Sequence, residues 1–278
     1  MEKLRDYAQV VAEARTGRLA FPTSVNAALQ LQQALADPDC HVEEAIRKVL
    51  AEPVLAARSV ALANSAVFTR NGGPQVTSAR AAVMRVGYRN LYSLASAMVM
   101  RQFGARIRDP QLRAKAEQLW RHCASVAALS HVLGRELTHV DPDTAMFAGI
   151  MHEVAGFYLL ARADEMPGLL DDPDERMGAI HEILSRELLA KLQVPEPVAA
   201  AIASLRGGAI SIPPDGLRDT LLLAKRLAPQ RAPLVWCDDA VLGRTAAVDA
   251  YLKGNRAIDD ILFESSEEAK SMSSALLV

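Results

Sequence analysis

WRHCASVAALSHVLGRELTHVDPDTAMFAGIMHEVAGFYLL, residues Trp120 to Leu160, reads as two packed helices and sets the frame for the rest of the chain. In the first helix the apolar positions Trp120, Cys123, Val126, Ala127, Val132 and Leu133 fall at mixed three- and four-residue steps, the spacing of one buried face. Asp141 followed by Pro142 predicts a capped start and a rigid first turn for the second helix. Met146, Phe147, Ile150, Met151, Val154 and Tyr158 give that helix its apolar stripe, so the adjacent pair His152 and Glu153 is expected on one continuous helix. A helix with a histidine facing a helix with a histidine and a carboxylate is the beginning of a metal site.

Around this pair, the composition points the same way. Half of the 278 residues are hydrophobic but only 5% are aromatic, so alanine, leucine and valine must fill the interior. That favours close helix packing over a sheet rich in β-branched and aromatic residues. A net charge of -2 gives no bulk attraction to nucleic acid or to an anionic membrane. Cys40, Cys123 and Cys237 are widely spaced and lack any C-x-x-C arrangement, as expected of reduced thiols in a cytoplasmic protein. The start, MEKLRDYAQ, is too charged for a signal peptide, and no apolar run reads as a membrane span.

Proline and glycine punctuation predicts helices over about 4–16, 24–36, 42–50 and 54–63, then a turn at Asn71-Gly72-Gly73-Pro74. Thr77 or Ser78 should cap a helix that ends near Gly87 in a left-handed cap, and another follows over 89–103. The Asp109-Pro110 corner divides an N-terminal helical bundle, 1–110, from a second helical part, 111–257. Further helices are expected over 175–192, up to Ala203, and over 217–227, with GGAISIPPDG as loop. The acidic, serine-rich end, 258–278, is expected to be flexible.

Several ordered landmarks resemble the HDOD family, output-domain relatives of the HD metal-dependent phosphohydrolases. They are Leu19-Ala20-Phe21-Pro22, Asp37-Pro38, Glu52-Pro53 before a helix ending in Asn64-Ser65, Thr77-Ser78 and Val86-Gly87. Trp120 and His122 follow, then Gly149 to Gly156, similar to a Gly-Leu-Leu-His-Asp-Ile-Gly stretch with glutamate in place of aspartate, and then Gly178 and His181. The resemblance covers about Gly17 to Leu227 and implies an all-α unit whose N-terminal bundle packs on an HD-like core. It also implies a role in bacterial signal transduction.

Relatives with a working HD centre bring a final aspartate to the site, and this resemblance puts Lys225 there. Protonated lysine has no lone pair to give a metal, so His122, His152, Glu153 and Lys225 form a degenerate HD-like site with no metal or other cofactor expected. Asp219, the nearest preceding carboxylate, lies about 1.7 turns before Lys225 on a helix. Glu153 is a candidate to pair with Lys225, and His152 reads as either a ligand or a buried structural histidine. His41, His131 and His139 are expected to be exposed or capping, and His181 to be a packing or cap residue.

No G-x-G-x-x-G, phosphate-loop or G-x-S-x-G motif occurs. Ten basic residues lie between Arg70 and Arg121 against Asp109 and Glu117, and Arg85, Arg89 and Arg101 are candidates for binding an anion or a partner. The expected function is regulatory, through contact with a signalling protein. A small ligand stays open, and the alternatives are residual phosphohydrolase activity and nucleotide or nucleic-acid binding.

Overall fold

The computed structural model describes residues 2–15, 39–69, 73–171, 175–206, 209–234 and 256–277 except 265, together with scattered positions in 31–37 and 248–253. Every regular element among the described residues is helical. The first are α1 (Glu2–Arg15), α2 (Val42–Leu50), α3 (Pro53–Ala63), α4 (Ala66–Thr69), α5 (Ala79–Ala105) and α6 (Pro110–Leu133). A π-helical turn, Gly134–Thr138, leads to α7 (Pro142–Met151) and α8 (Val154–Glu165). They are followed by α9 (Glu175–Lys191), α10 (Glu196–Ala203), α11 (Gly216–Leu227), α12 (Arg256–Glu264) and α13 (Ser266–Leu277). Most of the helix expected over 24–36, and Cys237, lie outside the described residues.

The helix starts follow their caps. Ser78 accepts from the Ala81 amide, Asp109 from Gln111 and Leu112, and Asp141 from Thr144, satisfying donors that a helix end leaves open. Pro53, Pro110 and Pro142 stand at first helical positions, where a missing N–H costs nothing. Asn64 clamps the segment before α5: its side chain donates to the Val76 carbonyl at 2.7 Å and accepts from the Val76 amide at 2.8 Å. At Gly87 the backbone turns with φ 77° and ψ 168°. The positive φ was expected, but the ψ is extended rather than left-handed helical, a region essentially reserved for glycine. It lets α5 change direction and continue.

The smaller N-terminal helices pack on a larger helical core. α5 crosses from α3 onto α7 and α8, while α6 lies against α7, α8 and α11. Gly149 makes the α6–α7 contact possible: a Cβ there would stand 2.5 Å from the Ala127 Cα, inside any tolerable separation. Trp120 meets Phe157 edge-on with ring centroids 6.2 Å apart, sealing α6 to α8.

Other sequence expectations change as well. The helix after Asp141 is interrupted at His152 and Glu153, which form the corner between α7 and α8. The acidic end is helical and packed: Met272 and Leu276 are buried, and α13 lies on α6 while Ser271 Oγ accepts the Ala66 amide at 3.0 Å. His131 is buried, 3.7 Å from Asp143, rather than exposed, whereas His139 is an exposed helix-end residue with φ 51°. Residues 142–165 are long and apolar enough to cross a membrane, but 89% of their most apolar stretch is buried inside the fold.

Candidate functional site

His122 projects from the middle of α6 and is buried. Its Nδ1 lies 2.7 Å from the carbonyl oxygen of Gln230, beyond the end of α11. His152, at the last turn of α7, places Nδ1 2.8 Å from the Gly149 carbonyl. A carbonyl only accepts, so each imidazole donates from Nδ1 and carries its lone pair on Nε2 when neutral. Histidines that hold metals are oriented by the same kind of bond. The two rings lie 5.4 Å apart, centroid to centroid, at 56°.

Glu153 occupies the corner between α7 and α8, where the helix break turns its side chain inward. One carboxylate oxygen, Oε1, is 3.6 Å from Lys225 Nζ and 4.0 Å from His152 Nε2. The other, Oε2, is 3.6 Å from His181 Nε2 on α9. Glycine at position 156 leaves room for this: a Cβ there would sit 3.0 Å from Oε2. Had the helix run through, neighbouring residues would point about 100° apart and the pair would not converge.

The electrostatics follow from burial opposed by company. Burial by itself would raise the Glu153 carboxyl, but the His181 imidazole and the Lys225 ammonium hold it well below the usual carboxylate range. Burial pushes His152 down to about 3; Glu153 works against this, and Lys225 and His122 add to it. His152 is therefore neutral in the folded protein at neutral pH. Burial, reinforced by the Glu153 charge, also pushes the Cys123 thiol well up, leaving it protonated beside the corner.

Thus the structure brings His122, His152, Glu153 and Lys225 together and adds His181, expected from sequence to be a packing or cap residue. The signal for His181 was its place beside Gly178 in the family-like helix, with nothing in its spacing to aim it at Glu153. Asp219 stays away from the corner. It accepts the Ser211 and Asp215 amides at 3.0 and 3.2 Å and pairs with Arg218 at 2.9 Å, fastening the loop before α11.

A divalent ion does not fit this donor set. The carboxylate it would need already faces an ammonium that is only 13% exposed, and placing two cations there in a poorly solvated corner is strongly unfavourable. Among the described residues, no group of three or more His, Cys, Asp or Glu side chains is arranged to hold a metal.

The candidate arginines each have their own neighbours. Arg85 donates to the Pro74 carbonyl at 2.8 Å and to Ala63 at 3.4 Å, so it holds the loop before α5. Arg89 pairs with Asp141 at 3.0 Å on the surface. Arg101 lies beside the buried Arg58, whose guanidinium is pushed down to about 10 by burial and then by the Arg101 charge.

The sequence profile of the HDOD domain matches residues 21–204. Among curated proteins, none matches the chain in sequence. Several solved structures share the fold. One, from Shewanella amazonensis SB2B, is assigned provisionally as a metal-dependent phosphohydrolase; it has 17% identity and a TM-score of 0.69, with 99% of each chain covered. An HDOD domain protein of unknown function from Geobacter sulfurreducens has 18% identity and a TM-score of 0.60 over 98% of each chain. A third, from Marinobacter aquaeolei VT8 and assigned provisionally to signal transduction, has 16% identity and a TM-score of 0.60. The match covers 99% of this chain and 65% of that one.

Proposed function

The chain belongs to the HDOD domain family, and from that premise we propose that it is a non-catalytic signal-transduction or regulatory domain. It acts in the cytoplasm by contact with a signalling protein and uses no metal or cofactor. The observation that carries this reading is the 3.6 Å approach of Lys225 Nζ to Glu153 Oε1. The corner holds a tethered cation where hydrolysis would need an exchangeable one. Without a metal to lower the pKa of a bound water, the two imidazoles have no activated nucleophile to present to a phosphoryl group.

A second reading, residual metal-dependent hydrolysis of a nucleotide or cyclic dinucleotide, draws on the orientation of His122 and His152 through their Nδ1 bonds. Lys225 weighs against it. The third, nucleotide or nucleic-acid binding, loses support from the separate engagements of Arg85 and Arg89.

Metal analysis of the purified protein, a nucleotide panel assayed with added Mn²⁺, and pull-down from the source cell with and without EDTA test the proposal together. The expected result is substoichiometric metal, no turnover and a partner retained in EDTA. Turnover that requires a divalent ion and disappears in His152→Ala would overturn it.

A further inference from the structure

Apart from the buried corner, three elements enclose a surface pocket of about 570 Å³. Its walls come from α5 just past the Gly87 turn, from the first turns of α7, and from the proline-bounded link between α9 and α10, and Leu35 adds to the lining. That volume lies in the range of sites that take a ligand or a large side chain.

The pocket is preformed. Tyr88 and Tyr92 donate their hydroxyls to the carbonyls of Cys40 and Gln193, each at 3.1 Å, so what they offer a ligand is ring surface. Phe147 stands edge-on to Tyr92 at 5.1 Å, and Pro195 and Pro197 stiffen the opposite rim. Aromatic rings attract a cation placed over their faces.

Its charge selects among ligands. Arg89 is engaged by Asp141, whose other oxygen caps α7 through the Thr144 amide and hydroxyl. Asp143 is the carboxylate left facing the space. The His131 Nε2 lies 3.7 Å from it, beyond a hydrogen bond, and the Asp143 side chain is 30% exposed. Arg89 lines the same space and is 71% exposed, but Asp141 answers its charge, so the charge of the lining that has no such partner is the Asp143 carboxylate. A cation on an apolar stem meets the carboxylate at its head and rings along its length.

We infer that this pocket docks an arginine or lysine side chain presented by an extended basic segment of a partner protein. The inference rests on the regulatory reading above and names the partner's chemistry.

The test uses the full chain and labelled ten-residue Gly-Ser peptides with one central Arg, Lys or Glu, followed by fluorescence anisotropy at low salt, with ATP as an anionic competitor. The Arg and Lys peptides should bind at least tenfold more tightly than the Glu peptide. Asp143→Asn should remove that preference, Asp143→Lys should reverse it, and ATP should not compete. Tyr88→Leu, which leaves the charges untouched, should weaken the basic peptides severalfold. Equal binding of all three peptides, no binding by any, or displacement by ATP would overturn the inference. If the peptides fail while the protein still shows no metal-dependent turnover, only the pocket assignment falls. Metal-dependent turnover would remove the regulatory reading and this inference with it.

Discussion

The corner at Glu153 and the pocket beside Tyr92 each set a carboxylate among aromatic or imidazole rings and near a cation, yet they are built for opposite ends. Glu153 is 1% exposed and meets Lys225 and His181 inside the protein. Asp143 is 30% exposed and leaves much of its field directed at solvent. A charge sealed with its partner holds the fold together, whereas one left open at a pocket is free to meet something else. Both lie on or next to α7, one at each end, so a single short helix connects the closed site to the open one.

The most damaging way to break this contrast is to remove the corner's cation. Lys225→Met leaves Glu153 buried without its ammonium and should cost about 3–5 kcal/mol, read by urea unfolding. The double variant Glu153→Gln/Lys225→Met should recover most of that loss, because neither charge then remains. If Lys225→Met unfolds like the parent, the corner is not held by its ion pair.

Next in size is the seam between α6 and α7. Gly149→Ala drives a methyl to 2.5 Å from the Ala127 backbone, and displacement of α7 should cost about 3 kcal/mol. Both regions should respond, shifting the NMR resonances of His152 and of Tyr92 together. A shift confined to one end would show that α7 does not couple them.

Acid sharpens the difference further. The unfolded chain takes up a proton at His152 near pH 6.5, which the folded protein refuses until about 3, so stability is full above 6.5 and declines as pH falls through that window. The slope attributable to this group is about 1.4 kcal/mol per pH unit. Unfolding measured from pH 6.5 to 5 should lose that slope in His152→Gln and keep it in Asp143→Asn. The smallest effect is on the pocket itself: Asp143→Asn should change stability by less than about 0.5 kcal/mol, as expected for a partly exposed side chain with no short bond.

Local chemistry was legible where the reason for a structure lies within a few residues. Asp109-Pro110 and Asp141-Pro142 start helices because a side-chain acceptor and a fixed φ act over one turn. The all-helical class followed from an aromatic-poor, alanine- and leucine-rich interior. His122, His152, Glu153 and Lys225 were grouped through family resemblance, and the structure sets them in one corner. The break at His152 was hidden because apolar residues run through it from Met146 to Leu160, and both halves are buried. Composition misread the end of the chain, since Met272 and Leu276 depend on a surface supplied by distant helices. Arg85 and Arg89 looked alike as sequence, but what each holds depends on which carbonyl or carboxylate the fold brings within reach.

The bond between Ser271 and Ala66 joins residues 205 positions apart. The start of α4 is therefore satisfied by a hydroxyl that only the folded chain can bring to it. A chain lacking α13 would leave the face of α6 that this helix covers open to water, and that apolar surface would favour aggregation.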